Sequence, residues 1–347
     1  MRTIFLWTGN LVTFVTAFGL MARYVSPQIF WPPAVVALLL PGLLLLTFGF
    51  MIVQLSRFRW RTALFPFAVS VSALPLLGHL MAFPATPPPV DAGVPTLTLV
   101  TANARAFRSI DGADADTTRV RDAVREFGAD VLLLQEVRTM RYPQNYVPSI
   151  TQAGNFRQRH QKEGTLIATY GNAITPVSSS FTPPNEYNGF IVTDVDSELG
   201  RLRIINAHLE SNQISGMTAG MSDKNSVSRR IETLGNMLRG YGRTTRVRAL
   251  QAEEIRQLVE RSPYPVVLAG DFNDVPSSYT YNHILSPRLR DAWSEQGVGL
   301  GTTFTGPLPG LRIDYFMVDT SLAVLDIERL PSRWSDHRPL RITLAPR

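Results

Sequence analysis

The stretch Ala269-Gly270-Asp271-Phe272-Asn273-Asp274 places polar side chains at the mouth of an apolar run. The run, Val266 to Ala269, is bounded by Pro265 and Gly270 and reads as a buried strand. Gly270 lets the backbone turn at the strand end, so that Asp271 and Asn273, two residues apart, share one face. A carboxylate and an amide so placed suit gripping a water or a phosphate beside a hard cation. The pattern recurs along the chain, at Asn103, at Glu136, at Asn206 with His208, at Asp314, and at Asp336 with His337. Two of the five histidines fall in this set, while His79, His160 and His283 lie in no such context. Each residue alone has an ordinary explanation: a solvated strand end for Glu136, a surface carboxylate for Asp314, an exposed loop for His337. Strand termini are nevertheless where α/β proteins place ligands, and the recurrence in one chain favours a shared site.

Those side chains need strands and covering helices to hold them. Leu97 to Ala102 reads as a strand running into Asn103-Ala104-Arg105. Thr117 to Phe127 carries Val120, Ala123, Val124 and Phe127 on one helical stripe, with Gly128 as its stop. Val131 to Leu134 is a second strand, ending in Gln135-Glu136-Val137, which completes a βαβ-sized unit. Thr165 to Ala168, Phe190 to Val195 and Arg201 to Ala207 read as further strands, the last two joined as a hairpin around Ser197–Gly200. Asn212 to Arg243 is polar and rich in Gly, Ser and Arg, which predicts a mobile insertion with a short helix near Ile231 to Arg239. Val247, Leu250, Ile255 and Leu258 predict a covering helix over Val247 to Val259, and late strands are expected at Arg312 to Val318 and Leu340 to Leu344.

Taken in order, Asn103-Ala104-Arg105, Leu134-Gln135-Glu136-Val137, Asn206-Ala207-His208-Leu209, Gly270-Asp271-Phe272-Asn273, Arg312-Ile313-Asp314-Tyr315 and Ser335-Asp336-His337-Arg338-Pro339-Leu340 form a series. It resembles the endonuclease/exonuclease/phosphatase superfamily, which includes pancreatic-type deoxyribonucleases, abasic-site endonucleases, sphingomyelinases and inositol polyphosphate phosphatases. The resemblance covers Leu97 to the carboxyl terminus. It implies an α/β fold, a four-layer α/β/β/α sandwich of two mixed sheets with helices outside, and a Mg²⁺-dependent phosphoesterase site, with Mn²⁺ or Ca²⁺ as alternative ions. Carried over by motif, Glu136 is the main metal ligand, with Asn103 and Asp336 close to the ion. Asp271 and Asn273 orient the attacking water and hold a phosphate oxygen. His337, its ring fixed by Asp314, binds the scissile phosphate or acts as general base, and His208 stabilises the phosphorane-like state or protonates the leaving oxygen. Arg105 and Asn206 are expected to bind substrate. Arg105 and His208 stand where abasic-site endonucleases tend to have a carboxylate and no histidine, which looks more like the deoxyribonuclease and sphingomyelinase branches. The Cys-Asp-Arg segment of inositol phosphatases is replaced by Arg312-Ile313-Asp314.

The chain of 347 residues is long enough to hold more than this domain, and its net charge of +6 is unevenly spread. Up to Pro95 there are five arginines against one aspartate, so two thirds of the excess lies ahead of the globular part, which carries no basic stripe to recommend a nucleic-acid reading. The absence of Cys excludes disulfides and thiolate metal sites. Ile4 to Ala22, Trp31 to Leu55 and Ala63 to Phe83 are apolar runs that predict three transmembrane helices in residues 1–83. A Pro-rich linker, 84–95, and the catalytic domain, 96–347, follow. Arg2 and the Arg57–Arg61 loop place the amino terminus in the cytoplasm and the domain outside a bacterial inner membrane. The expected partners are the bilayer and a phosphate ester, a lipid headgroup or nucleic acid; no obligate protein partner is inferred. An outward-facing nuclease is the alternative enzyme, and a silent scaffold disagrees with a complete motif set. Transport through the runs is disfavoured because they carry no internal charge.

Overall fold

A computed structural model describes residues 2–89, 91, 93–108, 112–137, 146–182, 187–212, 227–306 and 310–347. Two six-stranded sheets pack face to face. In the first, β1 (Leu97–Asn103) and β2 (Val131–Gln135) run parallel at the centre, flanked by β4 (Ala168–Gly171) and β3 (Gln158–His160) on one side and by β12 (Leu340–Pro346) and β11 (Leu322–Arg329) on the other. In the second, β7 (Gly200–His208) and β8 (Val266–Asp271) form the parallel pair. Outward from them lie β6 (Gly189–Ser197) and β5 (Ile174–Phe181) on one side, β10 (Asp314–Asp319) and β9 (Leu289–Asp291) on the other.

Strand alternation builds three cores from one pattern. Leu99, Leu133, Ile204, Val267 and Phe316 point between the sheets. Their neighbours Val100, Leu132 and Leu134 pack under α6 (Thr117–Phe127) and α7 (Val147–Ala153). On the far side Ile205, Leu268 and Met317 pack under α8 (Val227–Arg261) and α9 (Tyr279–Ile284); a last helix, α10 (Ala292–Gln296), follows β9. The result is the expected α/β/β/α sandwich, and both central pairs end their strands at the same rim.

Several boundaries differ from expectation. The strand foreseen at Thr165 to Ala168 begins only at Ala168, because residues 165–167 still belong to the turn where the Thr165 hydroxyl donates to Lys162 O. The half of the insertion that is described is helical: α8 runs unbroken for 35 residues, through Gly235, Gly240 and Gly242. Residues 213–226 of that insertion lie outside the described residues. The buried stripe of α8 is Tyr241, Thr245, Arg248, Ala252, Ile255 and Val259, whereas Leu250, expected inside, is exposed. An arginine in the stripe and glycines in the helix hid the true register. β5 was not foreseen, since as an edge strand it is mostly exposed and polar, with a register shift beside Pro176.

Ahead of the sandwich, the three apolar runs form α1 (Arg2–Leu20), the pair α2 (Pro32–Ala37) and α3 (Leu40–Ser56), and the pair α4 (Trp60–Ser72) and α5 (Leu74–Leu80). Prolines occupy the first turns of α2, α3 and α5 and divide what were expected as continuous spans. Among the described residues one helix, Thr3–Arg23, is long and apolar enough to cross a membrane, or two if α4 and α5, bent by 52°, count as one; Leu40–Ser56 is shorter. The bundle buries an apolar cluster that includes Leu20, Leu40, Leu44 and Leu76, and it is apolar on the outside as well. Ile4, Trp7, Leu11, Phe14, Leu45 and Leu46 are exposed, while Thr16 and Thr47 are fully buried and share a 2.8 Å hydroxyl hydrogen bond.

The bundle docks on the sandwich through one end. Arg23 Nε donates to Asn282 Oδ1 at 3.1 Å, Tyr241 OH to Ala34 O at 3.3 Å, and Ser277 Oγ to Ala37 O at 2.8 Å. Ala82 and Gly299 exchange backbone hydrogen bonds. Gly242 is required in α8 because a Cβ there would stand 2.6 Å from the Trp31 ring. A buried cluster completes the joint: Arg312 pairs with Asp291 at 2.7 Å and donates to His79 O at 2.6 Å, while Tyr281 OH donates to Asp291 at 2.6 Å.

Candidate active site

At the rim where β1, β2, β7 and β8 end, the chain adopts backbone conformations that non-glycine residues rarely take. Arg105, Ala106 and Phe107 all have left-handed φ (45°, 53° and 56°), as do Glu136 and Asn273 at 53° each. Hydrogen bonds hold these turns together: Ala104 N donates to Gln135 O and Ala106 N to Glu136 O, both at 2.8 Å. Gly270 has φ 134°, and a Cβ on it would lie 1.9 Å from Ala207 O, so only glycine lets β8 approach β7 there. That approach brings His208 level with Asp271 in the parallel register.

The turns converge on a cavity of about 250 Å³, lined among others by Arg105, Glu136, Asp271, Asn273, Asp336 and His337. Asp271 is its buried centre. One carboxylate oxygen accepts from Asn273 N at 2.8 Å; the other accepts from Asn103 Nδ2 at 3.0 Å and lies 3.8 Å from both His208 Nε2 and His337 Nε2. Burial pushes its pKa up, against the pull of the two imidazoles. Asn103 Nδ2 also donates to Glu136 Oε1 at 3.0 Å, so the amide bridges two carboxylates, while its Oδ1 accepts from Arg105 N. Glu136 lies 3.7 Å from His208 Nε2 and is one-third exposed toward the cavity. Asp336 is 3.6 Å from Arg105 Nε.

His337 Nδ1 donates to Asp314, with 2.9 and 3.1 Å to its two oxygens, which fixes the ring and turns Nε2 toward Asp271. Burial works against the charged ring, yet Asp314 and Asp271 outweigh it and push the His337 pKa up to about 10. His208 is the contrast. It is buried, and among the described residues neither ring nitrogen has a hydrogen-bond partner. A buried imidazole with both nitrogens free of protein partners, at the edge of an acidic cluster, is able to hydrogen-bond a polar ligand.

Asp271, Asp314 and His337 also satisfy the spacing of a metal-binding triplet, their ligand atoms within 4.8 Å of one another. The imidazolium and Asp314 neutralise each other there. Glu136 and Asp336 present the carboxylate oxygens that a hard divalent cation prefers.

Asn206 does not line the cavity. It is fully buried between the sheets, where its Oδ1 accepts from Gln135 Nε2 at 2.7 Å and its Nδ2 donates to Ala168 O at 3.0 Å. It therefore ties the sheets together beneath the site. Asn103, expected close to the ion, turns its amide nitrogen to the carboxylates of Glu136 and Asp271. Three of the contributors that were not foreseen bear on how the site is held. Arg248, fully buried on α8, donates to Asp274 Oδ2 at 3.1 Å, to Asn212 Oδ1 at 2.7 Å and to Glu210 O at 2.8 Å, clamping the loops after β7 and β8. Asn212 Nδ2 in turn donates to Asn273 O at 3.0 Å. Leu38, from the segment between α2 and α3, forms part of the cavity wall. A charged residue on a helical apolar stripe was the available signal for Arg248; nothing local marks Leu38.

A family model described as Endonuclease/Exonuclease/phosphatase family matches residues 100–337. One described as a domain of unknown function (DUF8431) matches residues 2–80. No curated protein matches the chain. Among solved structures, zebrafish (D. rerio) TDP2 complexed with single strand DNA product is similar at TM-score 0.52 and 16% identity, over 73% of this chain and 99% of that one. An endonuclease/exonuclease/phosphatase from Beutenbergia cavernae DSM 12333 has TM-score 0.48 and 20% identity, over 72% of each chain.

Proposed function

The chain belongs to the endonuclease/exonuclease/phosphatase family, and from that membership we propose that it is a membrane-anchored, divalent-metal-dependent hydrolase of phosphate esters. The observation that carries the reading is the convergence of Glu136, Asp271 and His337 on one cavity, with the unpartnered His208 beside them. Glu136 and Asp336 would hold the ion, Mg²⁺ in the first instance, with Asn103 orienting Glu136. Bound there, the ion supplies positive charge for the phosphate oxygens as negative charge builds on them.

The chain's own residues perform the remaining work. Asp271, fixed by Asn103 and Asn273, orients a water for in-line attack and accepts its proton. His337, held charged by Asp314, donates Nε2–H to a non-bridging phosphate oxygen. His208 faces the leaving oxygen and gives it a proton. A bond forms between the water oxygen and phosphorus, the ester P–O bond breaks, and an alcohol leaves; a diester yields a monoester. Arg105, 3.6 Å from Asp336, is the cation at the cavity mouth that clamps a phosphate.

The anchor reading rests on the exposed apolar belt of α1, α3 and α4 and on buried threonines inside the bundle, an arrangement stable in hydrocarbon rather than water. The contacts of the bundle with the sandwich come from 23–38 and 79–82; on the reading that α1, α3 and the α4–α5 pair are membrane passes, the site would lie beside their shared end. With the Arg57–Arg61 loop inside, that side is the periplasm. A site held at a bilayer surface favours a lipid headgroup ester by effective concentration. The second reading, an outward-facing metal-dependent endo- or exonuclease, draws on the single strand DNA product bound by the zebrafish neighbour. The full chain in detergent, assayed with Mg²⁺ and with EDTA, separates them. Metal-dependent hydrolysis of inositol- or choline-bearing phospholipids supports the first reading. Plasmid or single-strand cleavage that falls steeply with salt supports the second, and hydrolysis of neither class refutes both.

A further inference from the structure

A second, apolar groove lies against the catalytic cavity. Ala37, Leu38, Pro41 and Leu80 from the helical bundle form one side; Val275 and Leu311 from the sandwich form the other. Leu38 and Leu311 line both spaces, so groove and cavity adjoin at these two side chains. The groove begins where the exposed apolar belt ends: Pro41 opens α3 and Leu80 closes α5. Exposed Leu39, Val298 and Leu300 stand nearby, with Leu300 itself lining the groove. Its only charged lining residue among those described is Arg312, whose charge is already matched by the buried Asp291. A polyanion finds no free cation here, and a hydrocarbon chain finds a dry wall reached from the belt.

We infer that this groove holds the hydrocarbon chain next to the phosphate of an amphiphilic phosphate ester, which enters the site sideways from the bilayer. The inference rests on the phosphoesterase reading and narrows its substrate class. Placed so, the phosphate meets His337 and Arg105 while the first carbons of its ester chain lie along Leu38 and Leu311. Leu38 then makes the bundle part of the substrate site as well as an anchor.

The test uses the full chain in detergent-free nanodiscs of phosphatidylcholine with Mg²⁺. The substrates are monomeric p-nitrophenyl alkyl phosphates with methyl, butyl and hexyl tails, which share one leaving group. Each methylene that enters the groove raises kcat/KM roughly three- to fourfold, so the hexyl-to-methyl ratio is well above ten. Ala37→Leu, which narrows the groove, and Leu300→Gln, which wets its rim, each lower that ratio toward one, whatever they do to the methyl ester. A flat ratio in the unaltered chain, with the methyl ester hydrolysed, overturns the groove and leaves the phosphoesterase reading intact. A steep ratio unchanged in both variants also overturns the groove. Single-stranded DNA cleaved in preference to every alkyl ester overturns the lipid assignment, and no hydrolysis of any substrate removes the reading beneath it.

Discussion

His208 is buried, unpartnered and within 3.8 Å of two carboxylates, an arrangement that costs stability unless a ligand completes it. His208→Ala should therefore lower kcat by about 10²–10⁴, the range for a positioned proton donor, with a melting temperature equal to or above that of the parent. A rate within threefold of the parent would remove His208 from the chemistry. The motif residues were legible individually because each ends a strand whose apolar run can be read. Asn206 shows the limit of that method. Its position at a strand end is right, but the inward pleat spends its amide on Gln135 and Ala168. Pleat direction depends on register, which a run of buried residues on both faces does not reveal. Asn103 is similar, since which end of an amide faces a carboxylate is decided by the backbone N–H of Arg105.

Helix α8 and the joint it makes with the bundle carry the next two predictions. Gly242→Ala replaces a poor helix former, a gain of up to about 1 kcal/mol in an open helix, yet here it collides with Trp31. The substitution should lower the melting temperature in the parent and raise it in a Trp31→Ala background; the same sign in both would refute the contact. The second concerns the Arg312–Asp291 pair. Burial alone would raise the Asp291 carboxyl, but Arg312, Tyr281 and Ser294 more than offset this and hold it below the usual carboxylate range. A depressed carboxylate contributes stability that is present above its unfolded pKa, about 3.9, and lost as pH falls through its folded one. Asp291→Asn should cost about 3–5 kcal/mol at pH 7 by leaving Arg312 unpaired, and the gap to the parent should narrow in melts between pH 5 and 3. A gap that is constant with pH would mean that Asp291 is not charged in the fold. The central strands and α6 were read to within a residue or two, because period 2 and period 3.6 are clean there. α8 was not, since three glycines and a buried arginine interrupt the pattern, and the residues that explain Gly242 and Arg248, Trp31 and Asp274, lie far away in sequence.

At the scale of the molecule, a helical bundle with an apolar exterior and a sandwich with an acidic rim meet around one cavity, and Leu38 belongs to both. The two halves could be told apart in the sequence by composition alone, but their contact could not, because no local pattern says which end of a bundle faces a domain that follows it. The central claim is that the converging loop tips form a metal-assisted phosphoesterase site. Its most direct test is the Mg²⁺ dependence of bis(p-nitrophenyl) phosphate hydrolysis by the full chain and by Glu136→Gln. The account predicts turnover that saturates with Mg²⁺, vanishes in EDTA, and in the variant falls by at least about 100-fold or needs far more metal. Equal rates with and without EDTA, or a variant that matches the parent at low Mg²⁺, would contradict it.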